Sequence, residues 1–144
     1  MFIILKEKDI VEHLIQYGEQ YFSFPEMFYL GQPIHLYKKE FQVTPEWRCD
    51  LLNYIQQDTY RHPIYTEIKY KDNKRDLLYE LHKGLYYIKT RGTENYPRSL
   101  CVISDEIKEA EILRFIKENN ILFYEYQVND KDIYTFKIEK KNGE

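Results

Sequence analysis

Three charged residues lie in two apolar segments of the chain, and their types and spacing suit either an ion pair or a metal site. Asp50 lies in the run WRCDLLNY, and Glu67 and Lys69 flank one apolar residue in the run PIYTEIKYK. The content of β-branched, aromatic and other apolar residues predicts that both runs are β-strands. Burying a lone carboxylate or ammonium costs several kcal/mol, so such groups are normally paired or bind a metal.

Strand alternation places Glu67 and Lys69 on one face and Ile68 on the other. If the two strands pair, the Asp50 and Glu67 carboxylates could share a hard cation such as Mg²⁺, with the Ile68 carbonyl as a further ligand. Such an ion polarises a phosphoryl oxygen and activates a water, and Lys69 would orient that water or stabilise developing negative charge. The spacing alone leaves two alternatives open, a buried acid–lysine ion pair and the polar face of an ordinary edge strand.

The elements that must position these residues follow from hydrophobic periodicity and from turn residues. Helices are predicted over 8–22, from the KDNKRD segment through Ile88, and from a cap at Ser104 or Asp105 through about Lys117. A polar loop is expected over 56–62, and strands are predicted within 28–43 and over 47–54, 64–70, 100–104, 122–128 and 133–139. The order α, β-meander, α, β, α, β, β predicts a mixed sheet with helices on its faces, a three-layer α/β/α arrangement.

Composition favours one intracellular domain over residues 1–144, since no linker-like or repeated segment interrupts the chain. No apolar run approaches the roughly 20 residues that span a bilayer, and the opening MFIIL is too short for a signal peptide. We therefore expect a cytoplasmic protein without a membrane partner (in the host cytoplasm if it is viral). Cys49 and Cys101 have no metal-ligand spacing and are expected to be buried, reduced thiols.

The charge distribution gives only a weak indication of a polyanionic partner. The net charge is −3, which provides no bulk attraction for nucleic acid. Between Lys38 and Arg98, however, 12 basic residues stand against 9 acidic ones, and the candidate site lies in this part of the chain. A basic track along DNA and chance scatter account for this difference equally well.

Three segments together resemble the PD-(D/E)xK, or restriction-endonuclease-like, superfamily, and are most similar to the nuclease domain of NucS-type DNA endonucleases. DIVEHL resembles the acidic helix that opens such domains, and KEFQVTPEWRCDLL resembles the strand that carries the acid. PIYTEIKYKDNKRDLLYELHKGLYYI resembles the Glu-x-Lys strand and the helix behind it. The resemblance covers most of the chain and implies a restriction-endonuclease-like α/β/α fold around a central mixed sheet.

The resemblance also implies an activity, a metal-dependent DNA endonuclease that uses Mg²⁺ or Mn²⁺. Asp50 and Glu67 would bind the metal, Lys69 would assist the attacking water, and Arg48 would contact a phosphate. Glu12 and Glu80 would be auxiliary acids, although Glu12 suits an exposed helical ion pair equally well. Further candidate nucleic-acid contacts, each of which a solvated surface would also explain, are Lys71, Lys74, Arg75 and Lys83.

Two positions depart from the family pattern. Related domains usually carry Gln on the second helix and often Tyr four residues later, where this chain has Glu80 and Gly84. A second hypothesis is therefore a nuclease fold retained as a nucleic-acid-binding or assembly module with weak or no catalysis, and a third is a ribonuclease or nuclease toxin. The DNA could be single-stranded, branched or duplex, and cleavage of both duplex strands would favour a homodimer with two active sites.

Overall fold

The computed structural model describes residues 6–21, 24–71, 74–91, 97–128 and 136–141. Three helices and seven strands follow one another in the predicted order of types. Their bounds are α1 Glu7–Tyr21, β1 Phe24–Tyr29, β2 Gln32–Thr44, β3 Trp47–Gln57, β4 Tyr60–Lys69, α2 Leu77–Arg91, β5 Ser99–Ser104, α3 Ala110–Glu118, β6 Leu122–Val128 and β7 Phe136–Lys140.

The seven strands form one mixed sheet in which each strand lies beside the next strand of the chain. The first four strands pair antiparallel, β4 with β5 and β5 with β6 pair parallel, and β6 with β7 pairs antiparallel. The two parallel pairs are the ones joined through α2 and α3, because parallel neighbours need a crossover connection. The predicted mixed α/β sheet is confirmed.

The helices cover both faces of this sheet. α1 packs Ile10 and Leu14 against one face, in a cluster that includes Ile68 of β4 and Ile103 of β5. On the other face α2 and α3 form a second cluster with the sheet, whose members include Leu77, Leu81, Leu100, Val102, Ile112 and Ile116. Since successive residues of a strand point to opposite faces, β4 contributes Ile68 to the α1 side and Tyr65 to the α2–α3 side.

The expected polar loop over 56–62 is wrong, because β3 and β4 continue through most of it as a tight hairpin. Gln57 pairs with Tyr60, so only Asp58 and Thr59 remain in the turn. Asp58 has φ 48°, a left-handed conformation that Asp tolerates better than most residues. The Gln56 side chain donates hydrogen bonds to the carbonyls of Asp58 and Tyr60, which explains polar residues at a strand end.

The predicted cap of the third helix at Ser104 or Asp105 is also wrong. α3 begins at Ala110, with Glu109 at its N-cap position, whereas Ser104 ends β5. The Asp105 carboxylate instead accepts a hydrogen bond from the Lys71 backbone N–H at 2.8 Å, in the segment that follows β4. A carboxylate beside a turn can satisfy donors of either neighbouring segment, and sequence spacing does not decide between them.

Both cysteines are buried and free, as expected, with Cys49 in β3 and Cys101 in β5. The predicted last strand, over 133–139, falls partly on residues 129–135, which lie outside the described residues, and β7 itself is Phe136–Lys140. None of the described helices combines the length and apolar character that crossing a membrane requires.

Candidate active site

Asp50 and Glu67 lie at the end of the β3–β4 hairpin, opposite its turn. The antiparallel register runs from the turn to the pair of Leu51 and Thr66, and Asp50 and Glu67 are the next residues on their strands. The Ile68 backbone N–H donates a hydrogen bond to Asp50 Oδ2 at 2.7 Å. Asp50 therefore contacts the strand that carries Glu67 and Lys69, through its hydrogen bond with the Ile68 backbone.

The backbone of β3 is irregular at Asp50. Cys49 packs on the α2–α3 side of the sheet and Leu51 on the α1 side, although strand alternation would place both on one face. Glu40, the residue of β2 opposite Asp50 in the register, has φ 49°. The register between β2 and β3 stays continuous at this point, and the Asp50 carboxylate accepts a hydrogen bond from the backbone of β4.

Glu67 is buried, with 4% of its surface exposed, and Trp47 Nε1 donates a hydrogen bond to its Oε1 at 3.1 Å. The Asp50 and Glu67 carboxyl groups lie close enough for each to affect the pKa of the other. Burial, and then the charge of Asp50, raise the pKa of Glu67 well above its usual value, while the Trp47 bond opposes this rise. Two acids this close hold a proton between them unless a cation takes its place.

The pKa of Asp50 is raised as well, chiefly by burial. The Ile68 N–H and the charge of Lys69 act in the opposite direction, since both favour the ionised carboxylate. Because each acid raises or lowers the pKa of the other, Asp50 and Glu67 titrate as a pair and not as two independent groups.

The Lys69 ammonium lies close enough to both acids to affect their titration. Lys69 is only 8% exposed, and its charge lowers the pKa of both Asp50 and Glu67. Its Nζ donates no hydrogen bond to the residues that the structure describes, so its three N–H donors are available to a ligand. The Tyr126 hydroxyl donates to the Lys69 carbonyl and fixes the backbone at this point.

Arg48 and Glu80 flank the pair. The charge of Glu80, in the first turn of α2, raises the pKa of Glu67, and Glu80 Oε1 lies 3.9 Å from Lys83 Nζ. Arg48 is exposed, and its charge lowers the pKa of Asp50. Arg48 of β3 and Glu80 of α2 thus lie close enough to the carboxylate pair to affect its titration.

Glu12 has an ion-pair partner on β2. Its Oε1 lies 3.7 Å from Lys39 Nζ. The ion pair joins α1 to the sheet and is half exposed, so its contribution to stability is small.

The basic residues that follow β4 have different surroundings. Lys74 is 5% exposed, its ammonium lies 2.7 Å from Asp105 Oδ1, and it also donates to the Lys71 carbonyl. This ion pair closes the connection between β4 and α2 and leaves Lys74 little capacity to contact a phosphate. Lys71 and Arg75 are exposed. Exposure is what a phosphate contact requires.

Trp47 is a site residue that the spacing of the charged residues does not indicate. It is 2% exposed, and a buried indole N–H normally has an acceptor, which is the signal that could have identified it. Gly84 leaves room for this ring, since a Cβ at position 84 would lie 3.0 Å from Trp47 Cζ2 and 2.6 Å from Leu100 Cδ2. The departure from the family pattern at Gly84 therefore coincides with the indole that holds Glu67.

The donor set suits a hard divalent cation with few protein ligands. The described residues contain no group of three or more His, Cys, Asp and Glu side chains positioned to bind a metal. The two carboxylates of Asp50 and Glu67 are a smaller set than that. Mg²⁺ commonly uses one or two carboxylates and keeps several waters, so the pair, with the Ile68 carbonyl, fits Mg²⁺ or Mn²⁺ rather than zinc.

Comparisons with known proteins provide no relative whose site could be compared with this one. No family model matches the chain, and neither the curated proteins nor the solved structures contain a match.

Replacing Trp47 by Phe should raise the pKa of Glu67 further. The Trp47 bond lowers that pKa, and Phe keeps an aromatic ring but has no donor. We expect a stability loss of about 1–3 kcal/mol at neutral pH, the range for leaving a buried acceptor unsatisfied. Carboxyl-carbon NMR titration measures the pKa and urea denaturation measures the free energy of unfolding. An unchanged Glu67 titration would show that the bond does not form in solution.

Proposed function

We propose that the protein is a metal-dependent DNA endonuclease of the PD-(D/E)xK type with a restriction-endonuclease-like fold. The observation that carries the proposal is the convergence of the buried Glu67 and Lys69 with the partly buried Asp50 at one end of the β3–β4 hairpin. A mixed sheet with α1 on one face and α2 and α3 on the other is compatible with that fold.

The electrostatics of the pair support a cation-binding role. A structural ion pair would place one ammonium against one carboxylate, whereas here the charges of Asp50 and of a third acid, Glu80, both raise the pKa of Glu67. Such a cluster is stable only when it holds protons or a cation. We infer that a divalent ion displaces the shared proton, and that its affinity therefore increases with pH.

Each residue has a distinct role in the proposed hydrolysis. Asp50, Glu67 and the Ile68 carbonyl would hold Mg²⁺ or Mn²⁺, which when bound supplies electrophilic stabilisation of the phosphate and acidifies a water. Lys69 would donate to the attacking water or to the charge that develops on the phosphate.

The flanking residues would position the DNA. Arg48 would contact a phosphate beside the scissile one, and Glu80 would accept a hydrogen bond from a water at the site. Exposed Lys71 and Arg75, and Lys83 on α2, are further phosphate contacts in this proposal. Lys74 and Glu12 have structural ion pairs and are left out of it.

Replacing Asp50 by Asn should abolish Mg²⁺- or Mn²⁺-dependent cleavage, because an amide is a weaker ligand for a hard cation than a carboxylate. Wild type and variant would be incubated with single-stranded, flapped and duplex DNA, and with RNA of the same sequence. Glu106→Gln, which neutralises an exposed acid between β5 and α3, is the matched control and should cleave like wild type. Equal cleavage by wild type and Asp50→Asn would exclude this mechanism, and preferential cleavage of RNA would assign the alternative ribonuclease function.

The third acid supports one competing function. Glu80 makes deprotonation of Glu67 harder, which is compatible with a nuclease fold that binds nucleic acid or an assembly partner with little catalysis. Calorimetry separates the two proposals, because a nuclease should bind Mn²⁺ with a heat that Glu67→Gln removes. A binding module would give no heat that depends on Glu67. For the nuclease we further propose a cytoplasmic location and a homodimer when both strands of a duplex are cleaved.

A further inference from the structure

A cavity of about 740 Å³ lies beside Trp47, the residue that donates a hydrogen bond to Glu67. It opens between the turn that joins β2 to β3 and the outer surface of α2. Trp47 is the wall that the cavity and the site share, since its ring lines the cavity and its Nε1 donates to Glu67. The cavity is lined by Val43, Thr44, Pro45, Glu46, Trp47, Lys83, Tyr86, Tyr87 and Thr90.

The lining combines exposed aromatic surface with a cation. Tyr86 is 71% exposed, the largest exposed fraction among the large hydrophobic residues that the structure describes. Tyr87 instead packs against Trp47, with 5.8 Å between ring centroids, and so supports the inner wall. A ring as exposed as Tyr86 contributes little to the core, so its free face is available for a planar ligand.

Lys83 lines the cavity and lies beside Glu80. Its Nζ donates to the Glu46 carbonyl at 3.1 Å on the cavity side and lies 3.9 Å from Glu80 Oε1 on the other. An ammonium in this place can neutralise a phosphate of a strand that passes from the acids to the cavity. The cation and the exposed ring thus follow one another along α2, one turn apart.

We propose that this cavity receives one unpaired nucleobase of the DNA strand whose phosphodiester lies at Asp50 and Glu67. The base would stack on Tyr86, and Lys83 would contact the adjoining phosphate. Stacking on an aromatic side chain accepts any base, whereas a paired base inside a duplex presents no free face. This inference rests on the proposed nuclease function and adds a base-binding cavity to the proposed site.

The size and composition of the cavity agree with this occupant. Sites for small planar ligands are commonly 300–1,000 Å³ in volume and combine apolar walls with a few polar groups, as this cavity does. Its aromatic and aliphatic lining provides stacking surface, and Lys83 is the group that matches a phosphodiester. A duplex would contact only the rim, because its bases are covered by their neighbours.

The test measures binding without catalysis, in metal-free buffer, with fluorescently labelled single-stranded DNA and a matched duplex. Tyr86→Ala should weaken single-strand binding about tenfold, within the range of losses measured for removing one stacking ring, and leave duplex binding unchanged. Tyr86→Phe keeps the ring and should bind like wild type. Tyr37→Ala, which removes a ring of similar exposure (60%) from β2, is the control and should also bind like wild type.

A second arm changes the ligand instead of the protein. An abasic position moved along the strand should weaken wild-type binding at one position, and that position should have no effect on Tyr86→Ala. The inference is overturned if Tyr86→Ala binds like Tyr37→Ala, if duplex binding falls equally, or if matched RNA binds more tightly than DNA. Failure of the proposed function is seen separately, as absence of metal-dependent cleavage by a protein that retains Tyr86-dependent binding.

Discussion

Replacing Lys69 by Met is expected to lower the rate of DNA cleavage by about 10²–10⁴-fold, the range for removing a group that transfers a proton or stabilises transition-state charge. Met has a similar length and tolerates burial, so the 8% exposed position can accept it without a cavity. The fold should remain, which lets the effect be assigned to the lost ammonium.

The loss has two physical components. In the proposed mechanism the Lys69 ammonium donates to the attacking water or to the phosphate. Its charge also lowers the pKa of Asp50 and of Glu67, and without it both acids hold protons more tightly. We therefore expect the pH at which cleavage becomes half-maximal to move upward in any residual activity, in addition to the lower rate.

Single-turnover cleavage with saturating Mn²⁺ measures the rate over a range of pH. Lys108→Met, which removes an exposed ammonium between β5 and α3, is the matched control and should cleave like wild type. Circular dichroism and urea denaturation establish that both variants fold. If folded Lys69→Met cleaves at the wild-type rate, Lys69 is a structural counter-ion and the proposed mechanism fails.

The parts of this fold that follow from local pattern could be predicted from the sequence. Strand alternation placed Glu67 and Lys69 opposite Ile68, and periodic apolar residues indicated α1 and α2. The pairing of the Asp50 and Glu67 strands also followed, because consecutive strands joined by a short connection usually pair. These are properties of short segments or of neighbouring elements.

The remainder depends on contacts between distant parts of the chain. The bond from Trp47 to Glu67 spans 20 residues, and the ion pair of Lys74 with Asp105 gives a candidate DNA contact a partner from a distant segment. Cys49 and Leu51 pack on opposite faces of the sheet, which strand alternation does not anticipate. Sequence spacing indicates which residues share an element, and tertiary packing decides which charges meet.

Replacing Glu67 by Gln should make the metal-free protein more stable at neutral pH while removing its metal-dependent activity. Burial and the charge of Asp50 raise the pKa of Glu67 in the folded state above its usual value of 4.5. Between the unfolded and the folded pKa the folded state holds a proton that the unfolded state has lost, so stability falls as pH rises through this interval. Gln has no such proton, and its amide can accept from Trp47 and donate to Asp50.

The variant should therefore gain about 1–3 kcal/mol over wild type at pH above the folded pKa of Glu67, and this gain should shrink toward pH 4.5. Added Mn²⁺ should reverse the order, because an ion that binds only the folded wild type stabilises it in proportion to the logarithm of its concentration. Thermal melts of both proteins, with and without Mn²⁺ and across pH, measure all three effects. Glu106→Gln is the control, and its dependence on pH and on Mn²⁺ should be the same as that of wild type.

A wild type that is more stable than Glu67→Gln without metal would mean that Glu67 is ionised in the folded state and is paired with Lys69. The three charges would then be a structural ion cluster. If Mn²⁺ instead makes wild type the more stable of the two proteins, Glu67 lowers the stability of the metal-free protein and contributes to metal binding.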